Sequence, residues 1–153
     1  MYILLIMKEQ YNQEVNMAKV LEVASFCACA VTQLYDESLQ PTGLRATQYT
    51  LLVALSVTGS ISITDLAQQL VMDRTTLTRN LTLLEHRRLV AIAKGDDQRT
   101  RLVTLTNQGC EALMKVLPLW EQAQTRIVSG LGRAHWNTLL ADLSDVVLLA
   151  CEP

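Results

Sequence analysis

Glycine and proline are scarce in this chain, at 6 and 3 of 153 residues. So few breakers exclude a collagen-like repeat or a low-complexity linker, and with much Leu, Ala, Gln and Thr they predict a helix-rich fold. Long apolar runs are missing too. The opening stretch Met1–Met7 stops at Lys8 and Glu9, far short of the roughly 20 residues a spanning helix needs. It lacks the positive charge before and the small residues after that mark a secretory signal. A cytoplasmic protein without a targeting segment or membrane partner is expected. Met1–Met7 reads either as a loose terminus or as an arm packing on a neighbouring subunit. Also absent are a phosphate loop, a His-Glu-x-x-His motif, a cofactor fingerprint and any nucleophile–base spacing. His86 and His135 each stand alone. An enzyme is therefore the weakest reading, and neither a cofactor nor a metal is expected.

What is present is periodicity. A length of 153 residues, half of them hydrophobic, suits one compact domain with a real core. Apolar spacing predicts six helices and one hairpin, with no repeat or linker dividing the chain. The first helix, residues 12–39, carries Met17, Val20, Ala24, Cys27, Val31 and Leu34 as one stripe, and Pro41 and Gly43 end it. A second runs from Thr47, a candidate N-cap, to Gly59. Ser62 with Asp65 resembles a capping box, opening a short helix with Ile63, Leu66, Ala67 and Leu70 on one face. Asp73 is a further N-cap. The helix it opens has Leu77, Leu81 and Leu84 on one face and Arg74, Thr75, Thr78, Arg79 and Thr82 on the other. Two short capped helices joined by about three residues form a helix-turn-helix pattern.

Next comes a hairpin signal: strand-like Leu89–Ala93, a turn at Lys94–Gln98 containing Gly95, and Thr100–Leu105. Placed after a recognition helix, it is a wing whose tip offers Lys94, Arg99 and Arg101. Thr106 caps a long helix to near Gly130, with a kink or a locally broken bond expected at Pro118. The last helix, Arg133–Ala150, is apolar over too wide an arc for a monomer surface, with Trp136, Leu139, Leu140, Leu143, Val146 and Val147. Together with the first helix it implies burial against a partner.

Net charge argues against nucleic acid only when taken whole. From Asp73 to Arg101 there are seven cations and four acids, a balance of +3; the remainder holds six cations and eleven acids, a balance of −5, which together make the overall −2. DNA affinity is governed by local backbone neutralisation, over about a Debye length. Arg87 and Arg88 have a second explanation, because cations also suit a helix C-terminus.

The stretches TQLYDESLQPTGLRATQYTLLVAL, ITDLAQQLVMDRTTLTRNLTLLEHRRLV and DDQRTRLVTLTNQG resemble the MarR family of winged-helix transcription regulators. The most specific part is Thr64–Gly109, with the wing signature Asp97, Arg99, Leu105, Thr106 and Gly109. The resemblance implies a mainly α fold with a small β-hairpin wing, in a single chain. Residues 44–105 would be the winged helix-turn-helix DNA-binding part, and 12–40 with 107–151 the helical dimerisation part. It further implies an obligate homodimer on a pseudo-palindromic operator in double-stranded DNA, with recognition helices in successive major grooves. By position, Arg74, Thr75, Thr76, Thr78 and Arg79 lie where the family's recognition helix meets bases and phosphates. Arg99 corresponds to the wing arginine, with Lys94 and Arg101 beside it, and Asp97 stands where an acid holds that arginine. Ser62 and Thr64 are candidates for phosphate contact.

The family also implies control. Cys27, Cys29, Cys110 and Cys151 include no Cys-x-x-Cys pair, and a cytosolic chain rarely uses such residues as stable disulfides. Zinc would need four ligands at fixed spacing. Either Cys27 and Cys110 are small apolar core residues, or Cys27, Cys29 and Cys151 sense oxidants, as cysteines near the dimer interface do in some family members. Many members are instead relieved by a small-molecule effector in a crevice, which Tyr35, Tyr49, Trp120 and Trp136 could line. The expected function is a homodimeric, sequence-specific repressor relieved by a small ligand or by cysteine oxidation. The alternative is a winged-helix protein-interaction module without sequence-specific DNA binding, which the basic recognition helix and wing disfavour.

Overall fold

The computed structural model describes residues 17–151 except Gln98. The expected helical residues 12–16 and the stretch Met1–Met7 lie outside that range. The elements are α1 (Met17–Leu39), a 3-10 turn (Gln40–Thr42), α2 (Ala46–Thr58), β1 (Ile61–Ser62), α3 (Ile63–Gln69), α4 (Arg74–His86), β2 (Val90–Lys94), β3 (Arg101–Leu105), α5 (Asn107–Leu131) and α6 (Arg133–Cys151). The described residues fall into two compact units, divided between Leu34 and Tyr35. In the first, α1 leaves Leu21, Val23, Phe26 and Val31 exposed.

The second unit is built on leucine. Leu39, Leu44, Leu51, Leu52, Leu55, Leu66, Leu77, Leu81 and Leu84 are buried, with Ile63, Leu89, Val90, Val103 and Val116 completing one cluster. Each such side chain contributes about 1.5–3 kcal/mol through burial. Spacing explains the selection: Leu77, Leu81 and Leu84 recur every three to four residues, so one face of α4 is dry and the other is free. Caps fix where the helices begin. Asp73 Oδ2 accepts the Thr76 N–H at 3.0 Å, and Thr106 Oγ1 accepts the Gly109 N–H at 3.0 Å.

Two boundaries differ from the sequence expectation. The second helix begins at Ala46 with Arg45 as N-cap residue, not at Thr47. Its first amides find other partners: Gln48 Oε1 accepts the Arg45 N–H at 3.1 Å, and Asp36 Oδ1 accepts the Ala46 N–H at 2.7 Å. A carboxylate ten residues upstream thus performs the capping assigned to threonine. α5 runs to Leu131, with Gly132 at φ 80° after it, so the C-terminal glycine is Gly132 and not Gly130. The helix is continuous through Pro118.

The hairpin is part of a three-stranded antiparallel sheet in the order β1-β3-β2. β2 and β3 pair from Val90 with Leu105 to Lys94 with Arg101. β1 adds Ile61 opposite Val103 and Ser62 opposite Leu102, joining the start of the helix-turn-helix to the wing strand β3. α6 leaves Leu139, Leu140, Leu143, Val146, Val147, Leu148 and Leu149 exposed. Among the described residues no helix is long and apolar enough to cross a membrane.

Candidate nucleic-acid interface

α4 presents Arg74, Thr75, Thr76, Thr78 and Arg79, all exposed, opposite its buried leucines. The helix holds its own threonine and asparagine side chains in part: Thr82 donates to the Thr78 carbonyl at 2.9 Å, and Asn80 Nδ2 to the Thr76 carbonyl at 2.9 Å. The guanidinium groups of Arg74 and Arg79 form no ion pair among the described residues, where the pair found is Arg45 with Asp36 at 3.7 Å. They are free to meet an anion.

The wing repeats this arrangement. Register places Lys94 directly across from Arg101, both exposed. Like charges facing one another across a strand pair repel, so an anion at the tip would be stabilised by both. The turn is closed by the Gly95 N–H on the Thr100 carbonyl (2.9 Å) and the Thr100 N–H on the Asp97 carbonyl (2.8 Å). Asp97 Oδ1 accepts the Arg99 backbone N–H at 3.1 Å. The acid thus holds the backbone of Arg99, and no ion pair joins it to the guanidinium, which projects exposed.

Of the two candidates at the start of α3, Thr64 is exposed and Ser62 is half-buried. The Ser62 hydroxyl is engaged twice within the chain, accepting the Asp65 N–H at 3.0 Å and donating to Asp65 Oδ2 at 2.7 Å. An acid already occupies that helix end.

Sequence reasoning left Arg87 between two explanations, and its partners were not legible. Nη1 donates to the Gly43 carbonyl at 2.7 Å and Nη2 to the Thr42 carbonyl at 3.2 Å, tying the end of α4 to the loop before α2. The partners lie some 44 residues away, so no local signal could reveal them. Arg87 also flanks a cavity of about 610 Å³, whose walls include Leu44, Leu89, Glu111 and Lys115.

The aromatic residues expected around an effector crevice divide. Trp120 stacks with Tyr49 at 5.8 Å and Tyr35 at 6.2 Å between centroids, and Tyr35 donates to Gln124 Oε1. Trp136 lies on α6 outside this stack, and none of the four lines the cavity beside Arg87. Burial raises the pKa of both tyrosines; negative charge on Tyr35 and Glu121 raises that of Tyr49 further.

Cys27, Cys29, Cys110 and Cys151 are all exposed and unpaired by disulfide. Within the single chain neither Cys27 nor Cys110 lies in the buried core; next to Cys110 on α5, Gly109 does.

A capped helix with one basic face, followed by a cationic hairpin on the same core, defines a winged helix-turn-helix protein. Comparison with known proteins places it more narrowly. The MarR family model matches residues 44–100. The chain is 32% identical over 123 residues to the transcriptional activatory protein BadR of Rhodopseudomonas palustris, covering 77% of this chain and 63% of BadR. The chain thus spans under two thirds of the length of that curated relative, and 53% of a second from Bacillus subtilis. The DNA complex of the Mycobacterium tuberculosis regulator MosR superposes with a TM-score of 0.77 at 31% identity, over 87% of this chain and 98% of MosR. Apo MarR of Escherichia coli shares the fold at TM-score 0.67 and 23% identity, over 88% of this chain and 98% of MarR. The chain belongs to the MarR family of winged-helix transcription regulators.

Proposed function

We propose that the protein is a homodimeric regulator that binds a pseudo-palindromic operator through residues 44–105 and dimerises through 12–40 and 107–151. The observation that carries this reading is the free basic face of α4 opposite a fully buried leucine face, continued by the unpaired cations of the wing. MosR, which shares this fold at 31% identity, has been solved with DNA. In this reading Arg74, Thr75, Thr76, Thr78 and Arg79 meet the major groove. Lys94, Arg99 and Arg101 meet the backbone or minor groove, and Thr64 meets phosphate more readily than Ser62, whose hydroxyl is engaged. The apolar faces of α1 and α6 supply the dimer contact.

The test is binding to the DNA upstream of the protein's own gene across a salt titration. The expected result is a shift that weakens linearly in log salt and exceeds that on a scrambled duplex. Equal binding to both duplexes would favour the interaction-module alternative. Repression released by a small ligand or by oxidation is the proposed mode of control; the exposed thiols on α1 and α6 support the oxidative branch. Peroxide treatment should weaken operator binding by wild type and not by Cys27→Ser, and unchanged binding after oxidation removes that branch.

A further inference from the structure

The turn between α3 and α4 holds a conformation that suits its residue poorly. Val71 has φ 48°, in the left-handed region where a β-branched side chain is a genuine outlier. Hydrogen bonds account for the conformation but not for the valine. The Val71 N–H donates to the Gln68 carbonyl at 3.1 Å and the Met72 N–H to the Ala67 carbonyl at 2.9 Å, the paired bonds of a Schellman ending. Glycine would make both without crowding. Nor does the core need the isopropyl group, since Val71 is 67% exposed.

Arg88, the other non-glycine residue at positive φ among the described residues (59°), makes the contrast. It is unbranched at Cβ, and its carbonyl is held by Thr106 Oγ1 at 2.7 Å. Val71 therefore keeps a strained apolar side chain in solvent two residues before the Asp73 cap. That is the end of α4 whose residues reach base edges in helix-turn-helix docking. Strain kept by a side chain left largely in solvent points to a contact outside the chain.

We infer that Val71 reads the operator, its isopropyl group packing against a thymine methyl at the edge of the groove that α4 enters. The inference rests on the operator-binding reading. Its chemistry is specific: the C5 methyl of thymine is the apolar feature of the major groove, and Val71 supplies an apolar group beside the polar Arg74 and Thr75.

Wild type, Val71→Gly and Val71→Asn are compared for melting temperature and for operator affinity, with each operator thymine replaced in turn by uracil to delete only the methyl. Both variants should melt above wild type, because Gly and Asn accept the left-handed region. Both should bind more weakly, by about fourfold per half-site, the worth of one buried methyl group. Uracil at one symmetric position should weaken wild type by a similar factor and leave Val71→Gly unaffected. Equal affinity of all three proteins overturns the inference, as does indifference to uracil at every position. A Val71→Gly protein that melts no higher than wild type removes its premise. Failure of wild type to bind any DNA in the same titration is a distinct outcome, which defeats the operator-binding reading itself.

Discussion

At the scale of single residues, Thr106 and Gly109 show how a short motif is built from contacts. Thr106 Oγ1 caps α5 while donating to the Arg88 carbonyl at 2.7 Å. A Cβ placed on Gly109 would sit 2.1 Å from the Leu89 carbonyl oxygen and 2.6 Å from Leu105 Cδ1. Glycine is needed there for the approach of α5 to the start of β2. Gly109→Ala should lower stability by about 3 kcal/mol, the upper end of overpacking costs, read as a lower urea midpoint at unchanged slope. The tyrosines give a second prediction. Burial favours their neutral form, so their pKa values lie above the usual 10.0. The stability this adds is complete below that value and lost as pH rises through the higher folded-state values. Tyrosinate absorbance should show a late-ionising phase, and Tyr35→Phe should remove part of it and bring Tyr49 down. A single phase at the ordinary value, unaltered in the variant, would contradict the assignment.

At the scale of elements, the proposed function divides the work of binding between α4 and the wing. Arg99 projects from a turn whose backbone is held by Asp97, which suits contact with phosphate at any sequence. Arg79 projects from a helix face, whose rotation relative to the groove would be fixed in the proposed complex. Arg99→Ala should therefore weaken binding to all duplexes and reduce the log–log salt slope by about 1. Arg79→Ala should cost about 1–3 kcal/mol and relax preference at one position. Salt titrations on operator and scrambled duplexes separate the two; an unchanged slope for Arg99→Ala counts against the wing assignment. α4 and the β2–β3 hairpin were legible in the sequence because a cap, a 3–4 spacing and a Gly-containing turn are local signals. β1 was not, since two residues carry no alternation and their partners lie about forty positions later. The cap of α2 was missed for the same reason, because its acceptor, Asp36, belongs to the preceding helix.

At the scale of the whole molecule, the question is what covers α1 and α6. Seven large apolar residues of α6 from Leu139 to Leu149 are exposed, a breadth that a second copy of the chain would bury. Wild type should sediment as a dimer. Leu143→Glu should keep its helical content, sediment as a monomer and lose most operator affinity, because two half-sites then bind independently. A wild-type protein that stays monomeric at micromolar concentration would refute the dimer. The sequence by itself determined the family, the helix-turn-helix, the wing and the segregation of positive charge between Asp73 and Arg101. All of these are written in neighbouring residues through spacing, capping and composition. Tertiary structure alone decided that Arg87 holds the loop before α2, that Gly109 makes room for Leu89 and that a valine occupies a left-handed turn. Those outcomes depend on which distant backbone atoms meet a side chain, and on dihedral angles imposed by packing, which no local pattern encodes.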